Sequence, residues 1–169
     1  MKKEITDQTD PDSTIEFNYQ SKLWDNKIDE DKIRQIVDKA LSLGYGPYES
    51  YELSVVFADN EFIQQLNKQF RNKDKPTNVL SFPQYDDFED IKSEMGHLGD
   101  IVLAYETIEN ESAQQSINFQ DHLAHLIAHG VLHLLGYDHI EDDEAELMQQ
   151  KEIEILHEFA IENPYKDEA

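Results

Sequence analysis

The stretch HGVLHLLGYDH, residues 129–139, places three histidines within eleven positions. On a helix, residues four apart share a face with Cβ atoms about 5–6 Å apart, so His129 and His133 can aim imidazole nitrogens at one ion. Gly136 suits the left-handed conformation that ends a helix, and a turn through Tyr137 and Asp138 would return His139 as a third ligand. Three imidazoles around a tetrahedral ion leave a fourth position for water, the open pattern of a catalytic zinc site. Scattered surface histidines are the bland alternative. The distribution argues against it, because five of the seven histidines fall between 122 and 139. The chain has no cysteine, so any tight transition-metal site must use His with Asp or Glu.

The neighbours of the three histidines divide into candidates and bystanders. His125 lies one turn before His129 and is either a group beside the site or a satisfied, half-buried histidine. Asp138 is either the acceptor that orients a ligating imidazole or a turn-forming aspartate. His122 is expected at the surface, and His97 and His157 apart from the site. Helical zinc proteases carry their general base directly after the first ligand, in the pattern H-E-x-x-H. This chain has Gly130 there, which counts against peptide hydrolysis, and no other residue stands out as a general base.

Acidic residues number 37 against 14 basic ones, for a net charge of −23, and a field of that sign repels nucleic acid and acidic membranes alike. Lys68, Arg71, Lys73 and Lys75 are the local exception, four cations within eight residues. A hydrophobic fraction of 38% with 10% aromatics indicates a folded and very soluble chain. No apolar run approaches the ~20 residues of a membrane span and the start lacks a signal-peptide core, so a cytoplasmic location is expected.

The elements that must position these groups follow from periodicity. Residues 1–12 read as a polar, mobile arm, and 13–165 as a single domain without repeat or linker. Alternation in TIEFNYQS and the apolar runs YELSVVFAD, NVLSFP and LGDIVLAY predict four strands. Helices are predicted over 29–43, closed by Gly44, over NEFIQQLNKQF with Asn60 as its cap, over 118–135, and over 142–162. An acidic stretch, 86–94, follows the third strand, and a polar segment, 105–117, leads into the histidine-bearing helix. The resulting class is α+β, a small mixed sheet of about four strands packed with four to five helices, one of them a zincin-like metal helix.

With these residues in view, the chain resembles the YbeY-type metal-dependent endoribonucleases, also described as rRNA maturation factors. The pattern H-G-x-L-H-L-x-G-Y-D-H is matched from His129 to His139. FRNKDKPTNVLSFP is similar to a second family segment, with Arg71, Lys73, Asp74, Pro76, Thr77, Val79, Leu80, Ser81, Phe82 and Pro83 in register, and LGDIVLA to a third. The likeness runs from about residue 50 to 160. It implies one Zn2+ ion held by His129, His133 and His139, with single-stranded RNA as substrate and Arg71 acting with His133 in catalysis. An arginine suits that task because its planar fork grips a phosphate in bidentate fashion and keeps its charge.

Lys68, Lys73 and Lys75 would track the RNA backbone, while Phe82 is expected in the core rather than stacked on a base. The attacking group is either metal-bound water or a ribose 2′-hydroxyl. The resemblance further implies a role in maturing the 3′ end of 16S rRNA and in ribosome quality control. Its implied partners are rRNA, the small ribosomal subunit with its proteins and a ribosome-associated GTPase, with no DNA and no membrane. Two other readings are an assembly factor with a structural zinc and a metallohydrolase with a non-RNA substrate.

Overall fold

A computed structural model describes residues 14–48, 50–86, 88–93 and 96–166; the expected N-terminal arm, 1–12, lies outside them. Four strands form one sheet: β1 (Thr14–Tyr19), β2 (Glu52–Ala58), β3 (Val79–Pro83) and β4 (His97–Ala104). Their order is β1-β2-β4-β3, with β1–β2 and β2–β4 parallel and β3–β4 antiparallel. The sheet is mixed, as expected, and β3 forms one edge.

Six α-helices surround it among the described residues: α1 (Glu30–Gly44), α2 (Asn60–Arg71), α3 (Phe88–Ser93), α4 (Tyr105–Gln115), α5 (Phe119–Leu134) and α6 (Asp142–His157). The two beyond expectation are α3 and α4. The latter buries only Tyr105, Ile108 and Ser112 along its inner face, a stripe too polar to stand out in the sequence. The cap of α2 is Asp59, whose carboxylate accepts from the Phe62 N–H at 2.9 Å, whereas Asn60 accepts from the Thr107 hydroxyl.

Strand alternation divides the core. Leu53, Val55, Phe57, Ile101 and Leu103 face the main cluster formed with α1, α5 and α6, while Ala58, Leu80, Val102 and Ala104 face Ile63 of α2. Trp24 is fully buried in the main cluster and donates its indole N–H to the Ala58 carbonyl at 2.8 Å. Helix α5 is buried on nearly every side, with Leu123, Leu126, Ile127, Val131, Leu132 and Leu134 spread around it between the histidines. Its start is capped by Asn118, which accepts from the Gln120 and Asp121 N–H groups. Its end is a Schellman turn: Tyr137 N–H reaches Leu132 O, Gly136 N–H reaches His133 O, and Gly136 has φ +103. No helix among the described residues is long and apolar enough to cross a membrane.

Candidate metal centre

The Schellman turn is what completes the triad. His129 and His133 stand one turn apart on α5, with ring centroids 4.5 Å from each other, and the reversal at Gly136 brings His139 to 5.0 Å from His133 and 5.6 Å from His129. One ligand nitrogen of each lies within 4.8 Å of those of the others. His129 and His133 are half-buried and His139 is exposed, so the cluster opens to solvent on one side.

Hydrogen bonds fix which nitrogens are free. His129 Nδ1 lies 2.7 Å from Glu152 Oε2, and His133 Nδ1 lies 2.9 Å from the Tyr137 carbonyl oxygen. Both partners only accept, so each ring donates through Nδ1 and keeps an Nε2 lone pair for an ion. The donor set therefore fits a divalent metal of the zinc type.

Burial, and after it the charges of His129 and His139, lower His133 from 6.5 to about 4. The imidazole is thus neutral at neutral pH, as a ligand must be.

Glu152 is the residue sequence reasoning missed. It comes from α6, is 1% exposed, and accepts from His125 Nε2 at 2.8 Å as well as from His129 and the Tyr165 hydroxyl. Burial alone would raise its pKa, but hydrogen bonds from His125 and His129, reinforced by their charge, hold it at about 2. A signal was present: Glu152 shares a helical stripe with Met148, Ile155 and Leu156, where a carboxylate must have a buried partner. Replacing Glu152 with alanine frees the His129 ring to rotate and is expected to weaken metal binding about 10–100-fold. Competition against a chromophoric chelator measures this, and unchanged affinity would show that His129 is oriented by something else.

These two shifts also set a pH dependence. The folded protein binds fewer protons than the unfolded chain between pH 6.5 and about 4 at His133, and between 4.5 and about 2 at Glu152. Stability therefore rises with pH through both windows, each worth at most on the order of 3 kcal/mol. Denaturant midpoints of the metal-free protein should fall steadily as pH drops from 7 to 4; a flat profile would contradict the assignment.

The other expected site residues are distributed as follows. His125 stands beside the triad, its ring centroid 6.5 Å from that of His129 and its Nε2 on the shared Glu152 carboxylate. Asp138 accepts from the backbone N–H of His139 at 2.7 Å. His122, expected at the surface, is 6% exposed and lies 2.8 Å from Glu111 Oε1, because α4, unseen in the sequence, covers that face of α5. His97 stands near Glu52 and Asp100, outside the triad.

Arg71, Lys73 and Lys75 line the same cleft of about 830 Å3 as the three histidines. Arg71 is the last residue of α2, turned off by Asn72 in the left-handed region, and one guanidinium N–H reaches the Ser81 carbonyl on edge strand β3 at 3.1 Å. Buried Asn67 donates to the Lys75 carbonyl at 2.8 Å and so shapes the cationic loop. Lys68 does not line the cleft; it is exposed, 3.8 Å from Asp74. Phe82 packs half-buried against the α2 side of the sheet, its ring centroid 5.5 Å from that of Phe70.

Gly130 has a packing reason. A Cβ at this position would come within 3.1–3.3 Å of three Ile101 side-chain carbons, and its carbonyl accepts from the Ser81 hydroxyl at 3.3 Å. Its missing side chain would point at the sheet rather than into the cleft. The position serves close approach of α5 to β4 and is no vacant seat for a protease glutamate.

A mixed sheet packed with helices, with a three-histidine cluster on α5 and the turn after it and a cationic loop lining the same cleft, defines a class of α+β proteins with a candidate metal site. The model of the family Endoribonuclease YbeY matches residues 18–160. The Endoribonuclease YbeY of Sinorhizobium fredii is 50% identical over 123 residues, covering 72% of this chain and 70% of that protein. That of Bartonella bacilliformis is 53% identical over 116 residues, covering 69% and 73%. A solution structure from Thermotoga maritima superposes with TM-score 0.52 at 28% identity, covering 91% of this chain and 96% of that one. The chain belongs to the endoribonuclease YbeY family.

Proposed function

We propose that this protein is a zinc-dependent endoribonuclease that cleaves single-stranded RNA, acting in cytoplasmic rRNA maturation at the 3′ end of 16S rRNA and in ribosome quality control. One observation carries the reading: Arg71 and the triad His129, His133 and His139 line a single cleft. Residues 13–165 form the one catalytic domain.

A bound zinc ion would lower the pKa of its water toward ~7 and polarise a phosphoryl oxygen. The chain's own residues do the rest. His129, His133 and His139 hold the ion, with His129 braced by Glu152. Arg71 is fixed at one N–H by Ser81 and directs its remaining donors at the non-bridging oxygens, neutralising charge as it develops. Lys73 and Lys75 hold the flanking phosphates.

Removing Arg71 takes away charge stabilisation without touching the ligands. Arg71→Ala is expected to lower kcat about 10²–10³-fold, with bound zinc unchanged. Cleavage of a labelled single-stranded RNA, with zinc assayed on the same sample, tests this; full activity in the variant would remove Arg71 from the mechanism. The net charge of −23 confines attraction for phosphate to this loop, so affinity for free RNA is weak and salt-sensitive. Docking on proteins of the small ribosomal subunit, with a ribosome-associated GTPase as a further partner, supplies the remaining binding.

A further inference from the structure

Besides Asp86 and Asp138, the cleft that holds the triad is lined by an acidic group from α4. Glu111 of α4 lines it together with Arg71, Lys73 and Lys75, and its side chain is 30% exposed. Two residues hold the carboxylate. His122 Nε2 lies 2.8 Å from Oε1, and Asn78 Nδ2 lies 3.0 Å from Oε1 and 3.3 Å from Oε2. Since a carboxylate only accepts, both neighbours donate. Among the described residues, Nδ1 of His122 is buried without a hydrogen-bond partner, so this histidine is satisfied through Glu111 alone.

That arrangement is costly as packing. Burying a polar ring with one nitrogen unpartnered is unfavourable, and two apolar residues at 111 and 122 would join α4 to α5 at less expense. The carboxylate also opposes the attraction of a phosphate to this cleft, so it serves no backbone contact. What a pinned carboxylate offers a strand of RNA is an acceptor for N–H or O–H donors, which the molecule presents on its base edges and its ribose 2′-hydroxyl. His122 precedes His129 by seven residues on α5, or about 10 Å along the axis. The carboxylate held by His122 is therefore offset from the triad along α5 within the same cleft.

We propose that Glu111, positioned by His122 and Asn78, is a specificity residue that accepts a hydrogen bond from a donor on a nucleotide flanking the scissile phosphate. This rests on the endoribonuclease reading above. The guanidinium and lysines hold the chain by its phosphates, and Glu111 selects how the neighbouring nucleoside sits.

The test uses the zinc-loaded full chain, Glu111→Ala and the near-isosteric Glu111→Gln, with melting curves to confirm folding. Single-stranded RNA oligomers are replaced one position at a time, either by a 2′-deoxynucleotide or by an abasic ribonucleotide. At one position, one of the two replacements should lower kcat/KM of the unaltered protein about tenfold while leaving both variants nearly indifferent, as expected when both changes delete the same contact. Sensitivity to the 2′-deoxy change identifies the ribose as donor, and sensitivity to the abasic change identifies the base. Equal factors for all three proteins at every position would overturn the inference and leave the nuclease reading standing. Absence of any RNA cleavage by the unaltered protein would overturn both.

Discussion

Replacing His133 with alanine is expected to abolish zinc binding and lower RNA cleavage about a thousandfold. His133 is the central ring of the triad, the nearest to each of the other two. Without it, His129 and exposed His139 remain 5.6 Å apart by ring centroid with no third donor in the cluster. The charge stabilisation a metal supplies is worth several kcal/mol, and each ~1.4 kcal/mol is a factor of ten in rate. The variant also carries its own control. The alanine removes a group held at about 4, so the metal-free variant should lose the part of its acid sensitivity between pH 6.5 and 4 while remaining folded at neutral pH. Cleavage within tenfold of the unaltered protein, at equal fold stability, would exclude the triad from catalysis.

The second large effect concerns the strand behind the cleft. Gly99 has φ +141, and an added Cβ would fall 2.3 Å from the carbonyl oxygen of Phe82 and 2.9 Å from Leu134 Cδ2. The first of these atoms is backbone of the paired edge strand, since Pro83 stands opposite Gly99 in the register. It cannot yield without breaking the β3–β4 ladder. Gly99→Ala combines a strained backbone, worth about 1–3 kcal/mol, with overpacking worth a similar amount. Loss of about 3–5 kcal/mol is expected, a large share of the about 5–15 kcal/mol that holds an ordinary domain folded. Because β3 carries the Ser81 carbonyl that anchors Arg71, a variant that still folds should also cleave RNA more slowly. Denaturant titration measures the first effect; a loss of unfolding free energy below about 1 kcal/mol would mean that β3 can slide away from β4.

The parts of the site legible in the sequence are those written in short-range geometry. The spacing of His129 and His133 needs only a helix, and the return of His139 needs only Gly136 in a left-handed turn, so an eleven-residue window carries the triad. The cationic loop was visible as a cluster of like charges, although only Arg71, Lys73 and Lys75 of its four members reach the cleft. The four strands were legible from alternation in the first and from short apolar runs in the other three. Helix α4 escaped notice because it covers α5 with few apolar residues, and His122 was misplaced at the surface for the same reason.

By itself, then, the chain's order of residues determined the convergence of three histidines, the strands of the sheet and the local positive charge, since each depends on neighbours a few positions apart whose geometry is set by backbone periodicity. Tertiary structure alone decided which groups steady those ligands and what shares their cleft. Glu152 meets His129 across 23 positions, Glu111 meets Asn78 across 33, and the Ser81 hydroxyl meets Gly130 across 49. Such contacts leave no period in the sequence, because they arise only when helices and sheet pack closely enough that a buried carboxylate must find its donors in another element.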